Sequence, residues 1–239
     1  MKKYICILIA LLICFSFFGC SKPEKKEEPE ETTAVMTEEP VFEKKITLGY
    51  YEDKALNPYT TDSPANRNIS TLIYDPLYTL DKSYAPVAVI AESCEINATT
   101  VTVKIKSGLT FSNGAELSAY DVAYSFNKAK ESSFYGARLG NISYATPLSD
   151  SVVFTLEQPD IYCEAILTFP IVQSYTAEGD LPVGSGRYTL SDTSEGKVLR
   201  ANPNNSRGEA VTTNTVYLTP ISSHSAELYL LQSGDLSYF

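Results

Sequence analysis

Cys20 is the residue whose neighbours most plainly prescribe a reaction. It follows Gly19 at the end of a charge-free run, YICILIALLICFSFF (4–18), which is preceded by Lys2 and Lys3. That run is shorter than the about 20 apolar residues of a typical membrane-spanning helix and has the layout of a secretory signal. A small residue before Cys at its end is where a lipoprotein signal peptidase cuts. The thiol of Cys20 receives a diacylglycerol and the new amino terminus a further acyl chain, and two or three chains give anchoring that a single chain would not. Phe17 and Phe18 depart from the usual residues before such a cysteine. An ordinary signal peptide and an uncleaved anchor are the alternative readings.

The remaining reactive residue types are sparse. Cys6 and Cys14 belong to the signal, which leaves Cys94 and Cys163. In an oxidising compartment they either pair as a disulfide or stay as two buried thiols. The single histidine, His224, lies between Ser223 and Ser225 at an expected helix start, where capping or exposure accounts for it. Gly184-Ser185-Gly186 lacks the G-x-S-x-G spacing of a nucleophile elbow. No Lys-Ser/Thr follows a glycine loop, so there is no phosphate-binding P-loop. Without CxxC or HExxH, neither a metal nor a cofactor is expected, and the chain does not read as an enzyme. The net charge is −10, from 19 basic and 29 acidic residues; removal of Lys2 and Lys3 makes it −12. Such a balance argues against nucleic acid and against docking onto anionic lipid.

The elements that would position binding groups begin after a tether. Residues 21–45 are rich in Glu, Lys, Pro and Thr and too poor in apolar residues to fold. The spacing predicts strands at 46–51, 100–106, 152–158, 187–192, 197–203 and 214–220. It predicts helices at 65–77, closed by Pro76, at 161–169, and at 225–233 with Gly234 as C-cap. Ser118 and Asp121 form a capping-box-like start for a helix whose apolar face holds Val122, Ala123 and Phe126. The pattern is mixed α/β with substantial antiparallel sheet.

Four stretches, in order, carry a resemblance. They are LNPYTTDSPANRNISTLIYDPLYTLDKSYAPVAVIAESCEI (56–96), VTVKIKSGLTFSNGAELSAYDVAYSFNKAK (101–130), PVGSGRYTL (182–190) and AELYLLQSGDL (226–236). The second resembles the signature G-x-x-F-x-x-G-x-x-L-x-A-x-DV, with Gly108, Phe111, Gly114, Leu117, Ala119, Asp121 and Val122 in place. Lys106, Asn113, Ser185, Arg187 and Ser237 depart from the usual residues. On these motifs the chain resembles the extracellular solute-binding proteins of peptide-type ABC transporters, the oligopeptide- and dipeptide-binding family, over residues 46–239.

The resemblance implies the first lobe of a two-lobe clamp that closes by a hinge. It implies a lipid-anchored, outward-facing monomer that captures short peptides or a related solute and delivers them to a permease with its ATPase. The implied organisation is a signal at 1–19, lipidated Cys20 with an acidic tether to 45, and a lobe from 46 to 239. Members of the family carry a second lobe, so the sequence reads as a fragment, as a degenerate gene, or as a short lipoprotein serving surface signalling or adhesion. By resemblance the loop 60–65 faces the cleft, which singles out Asp62, Ser63 and Pro64. Tyr74 and Tyr144 are candidates for lining, because tyrosine offers a flat apolar face with a polar tip.

Overall fold

The alternation in TVTVKI becomes a strand whose Val101, Val103 and Ile105 point into the core. The computed structural model describes residues 45–237. The signal segment, Cys20 and the tether to residue 44 lie outside the described residues. The strands are β1 (Ile46–Tyr50), β2 (Tyr78–Leu80), β3 (Pro86–Ala88), β4 (Ala91–Asn97), β5 (Thr100–Ile105), β6 (Ile142–Pro147), β7 (Ser151–Leu156), β8 (Tyr188–Thr193), β9 (Gly196–Ala201) and β10 (Thr215–Pro220). The helices are α1 (Pro64–Ile73), α2 (Ala119–Glu131) and α3 (His224–Ser233), with short 3-10 turns at Gly136–Leu139 and Cys163–Ile166.

Two sheets divide the strands. One has the order β1-β10-β9-β8, with β1 parallel to β10 and the other pairs antiparallel. The other, β4-β5-β7-β6, is antiparallel throughout. A small β2-β3 hairpin stands apart. The chain leaves the mixed sheet at Pro76 and returns at Pro170, and these two prolines pair side by side. The expected mixed α/β lobe with substantial antiparallel pairing is the architecture observed.

Local chemistry sets the helix ends. Ser63 accepts a hydrogen bond from the Asn66 N–H, and Pro64 occupies the first turn, where its missing N–H costs nothing. Helix α1 therefore starts at Pro64, one residue before the expected start, and stops at Ile73. Asp75 precedes Pro76 and is biased away from helical backbone. At α2 the Asp121 carboxylate accepts from the Ser118 N–H and hydroxyl, as the spacing implied. Phe126 of α2 packs edge-on to Phe154 and Phe169, tying helix to sheet. Helix α3 ends at Gly234 with φ 81°, and none of its residues is buried.

The expectation of a helix over 161–169 is corrected: only Cys163–Ile166 turns, as 3-10 helix. The Asp160 side chain accepts from the Tyr162 N–H and Leu167 bonds back to Glu164, while Pro170 forces an extended exit. Strands β2, β3, β4 and β6 lay outside the sequence-based expectations. Gly184 and Gly186 cross against the end of α1, where a Cβ would stand 2.2 Å from the Ile73 carbonyl oxygen and 2.5 Å from its carbon, respectively. Only glycine fits at that approach.

Candidate functional site

Beside the paired segments at Pro76 and Pro170 lies a cavity of about 240 Å3. Its walls are Tyr74 and Tyr78 from the outgoing crossing, Pro170 from the return, Thr71 from α1 and Tyr135 from the segment after α2, with Arg207 at one edge. The lining is mostly apolar, as small-molecule sites are, with few polar groups to orient a ligand. Burial pushes the phenols of Tyr74 and Tyr78 well above their ordinary value, so both stay neutral. The Tyr74 hydroxyl donates to the Pro182 carbonyl at 3.1 Å, which leaves only its ring for a ligand.

Arg207 is held from inside. Its Nε and one Nη lie 2.9 and 2.8 Å from one oxygen of Asp75, whose other oxygen accepts from the Ser206 hydroxyl. The Asp75 side chain is 1% exposed and that of Arg207 is 21% exposed. The crossing glycines place this network, since Ser206 N–H bonds to the Ser185 carbonyl and Gly186 N–H to that of Ile73.

A second cationic group adjoins the Tyr135 wall. The Arg67 guanidinium sits 3.8 Å from the centre of the Phe134 ring, and that of Arg138 sits 5.0 Å from the same ring and 5.2 Å from that of Tyr135. Tyr135 stands edge-on to Phe134 and to Tyr59, whose hydroxyl donates to the Pro170 carbonyl. Burial raises the Tyr135 phenol, and Arg138 and Arg67 partly oppose the shift. Arg67 donates to the Thr61 carbonyl at 3.3 Å, while its buried Nε has no partner among the described residues. Neither arginine pairs with a described carboxylate within ion-pair distance.

The structure separates the sequence candidates. Asp62 is exposed and paired with Lys54 at 3.1 Å, an ion pair that lowers its carboxyl pKa. Ser63 is buried, with its oxygen engaged as the cap of α1, and Pro64 is the first residue of that helix rather than part of a loop. Tyr74 lines the cavity. Tyr144 lies on the outer strand β6, 56% exposed and apart from the cavity lining. Ser185 is buried and its hydroxyl has no hydrogen-bond partner among the described residues, none of which stands ready as a base to activate it. His224 is exposed beside Glu227, at 3.3 Å. Cys94 and Cys163 are free thiols. Among the described residues no group of His, Cys, Asp and Glu is arranged to hold a metal ion, and no helix is long and apolar enough to cross a membrane.

Sequence reading missed Arg67, Phe134, Arg138 and the Asp75–Arg207 pair. No spacing signals the group: Phe134 lies between α2 and the 3-10 turn at Gly136–Leu139, and it meets Arg67 of α1 only in the tertiary fold.

Residues 85–239 match the family described as bacterial extracellular solute-binding proteins, family 5 Middle. Over 205 residues the chain is 23% identical to the glutathione-binding protein GsiB of Escherichia coli (strain K12), covering 77% of this chain and 39% of that protein. Its fold is similar to the oligopeptide-binding protein AppA from Bacillus subtilis, solved with a nonapeptide. The TM-score is 0.65 at 23% identity, over 80% of this chain and 43% of AppA. It is also similar to MoaA of A. tumefaciens R10, solved with mannopinic acid. There the TM-score is 0.68 at 24% identity, over 80% of this chain and 44% of the other. The chain thus spans about two fifths of the length of the relatives it matches. These relatives are solute-binding proteins, not enzymes. With a family match that covers most of the fold just described, the chain belongs to the bacterial extracellular solute-binding proteins of family 5.

Proposed function

We propose that this chain is the lipid-anchored substrate-binding component of an ABC importer, capturing short peptides and handing them to a membrane permease driven by its ATPase. The observation that carries the reading is the family match over residues 85–239, joined to an apolar cavity beside the paired segments at Pro76 and Pro170. Relatives named for glutathione and oligopeptide binding favour a peptide over other solutes. Residues 1–19 serve as the signal, Cys20 as the lipid attachment and the acidic stretch to 45 as a spacer, with the binding lobe from 46 onward. The protein acts as a monomer on the outer face of the membrane. Asp62 and Ser63 border the cleft beside the helix start at Pro64, Tyr74 contributes the flat wall of its cavity, and Tyr144 belongs to the outer rim.

Two measurements test this. Calorimetry of the purified chain against a defined set of di- to pentapeptides should give at least one saturable heat, and none across the set would remove the peptide assignment. Expression of Cys20→Ser should move the protein from the membrane fraction to the soluble exported fraction. Retention in the membrane would remove the lipid anchor.

A further inference from the structure

The two arginines on Phe134 are unusual for their setting. The chain is acidic, with a net charge of −10, yet two cations share one ring and neither has a described carboxylate within ion-pair distance. Their carbons lie 3.8 and 5.0 Å from one ring centre, so they stand within about 9 Å of each other, near the screening length of about 8–10 Å at which like charges still repel in part. The ring face offsets part of that repulsion. Protein partners for these groups are few: of Arg67's five N–H donors, one reaches Thr61 and the buried Nε reaches nothing among the described residues. A buried donor without a partner calls for an explanation, and a bound anion supplies one. Phe134 is 42% exposed, so the group is open to solvent. Tyr135 joins it to the cavity, because its ring both lines the cavity and lies 5.2 Å from Arg138.

From this arrangement we infer that Arg67 and Arg138 form a carboxylate-binding subsite beside the apolar cavity, which selects ligands that carry an apolar or aromatic group next to a carboxylate. For a short peptide this is a free C-terminal carboxylate on an apolar last residue. The inference rests on the solute-capture reading and names the class of solute. The guanidinium fork suits the planar carboxylate, which accepts two parallel N–H bonds. On an otherwise acidic surface, such a local pair of cations is what admits an anionic ligand at all.

The test uses the full chain in detergent and two probes, 3-phenylpropionate and 3-phenylpropanamide, which share the ring and differ in the charge. Binding is read by saturation-transfer NMR up to about 10 mM, the range in which a ligand this small binds. The Arg67→Ala/Arg138→Ala double variant supplies the background. The acid should bind about tenfold more tightly than the amide, the scale of one charge-assisted hydrogen bond. Arg138→Ala and Arg67→Ala should each erase that preference, and added salt should weaken the acid alone. Equal binding of acid and amide, a preference that survives both substitutions, or no binding of either probe would overturn the subsite. Arg138 is exposed, so Arg138→Ala keeps the test valid if Arg67→Ala fails to fold. The tripeptide Ala-Ala-Phe separates this inference from the peptide reading. Acid-selective fragment binding without tripeptide binding leaves the subsite standing and removes the peptide. Tripeptide binding indifferent to both arginines leaves capture standing and removes the subsite.

Discussion

Arg207, at one edge of the cavity, and Arg67 with Arg138, beyond its Tyr135 wall, carry the same side chain in opposite circumstances. Arg207 has both its Nε and an Nη turned inward to Asp75, a carboxylate sealed from solvent and further held by Ser206. Its charge is consumed in holding the crossing between the sheets. Arg67 and Arg138 rest on an aromatic ring and meet no described acid. The difference is one of burial and partner, not of residue type: a paired arginine fixes the fold, and a stacked, unpaired one keeps its donors for something outside it.

That contrast can be broken most directly at Asp75. Asp75→Ala removes one member of a buried pair and strands the other, which should lower stability by about 3 kcal/mol in urea unfolding. A loss under about 1 kcal/mol would put Arg207 in the same class as Arg67. Next comes Gly186→Ala, which forces a Cβ to within 2.6 Å of the carbonyl oxygens of Leu72 and Ile73. It should cost about 2 kcal/mol by moving the segment that carries Ser185 away from Ile73, and with it the Ser206 bond to Asp75. Ligand binding through Arg138 should survive. Phe134→Ala sits on the other side of the comparison. It should change stability by no more than about 1 kcal/mol, the scale of an exposed cation–π contact, yet weaken the acid probe about threefold by releasing both guanidinium groups from their common support. A large stability loss there would mean that the ring is core and not platform.

The smallest effect concerns charge suppressed by burial alone. Burial pushes the Cys94 thiol up to about 11 and Cys163 up to about 12, from an ordinary 9.0. The folded state therefore favours the protonated thiols. That contribution is complete below pH 9 and is lost as pH rises toward 11–12, so stability should fall across that window. Alkylation by iodoacetamide at pH 8 should be slow in the native protein and fast in urea. Rapid native labelling of Cys163 would contradict its burial.

What the sequence revealed was local. Ser118 and Asp121 lie three residues apart and read directly as a helix start, and Val101, Val103 and Ile105 alternate in plain view. Residues 161–169 misled: Leu167 and Phe169 are buried, as in a helix face, but they serve an extended segment held between Asp160 and Pro170. Strand β4 escaped notice because most of AESCEIN is solvent-facing and so lacks a clean two-residue alternation. The arginine–aromatic group was invisible for a different reason. Arg67 and Phe134 come from segments far apart in the chain, and no periodicity encodes a meeting that only the tertiary fold creates. Tyr74 lines the cavity and Tyr144 stands on the outer strand β6, and the tyrosine chemistry that singled out both gave no means of telling them apart.

The parallel pairing of β1 with β10 has a consequence for the order of events when the chain is made. Ile46 finds its partner only at Val216, whereas the strands of the antiparallel sheet all lie between residues 91 and 156. Contacts so distant in sequence form late, because the intervening loop must close first. A ribosome, or an export channel, thus delivers a molecule whose second sheet is finished while its first strand still waits with an open edge. That edge is the segment most in need of a chaperone, and the interval of risk ends only when residue 216 arrives.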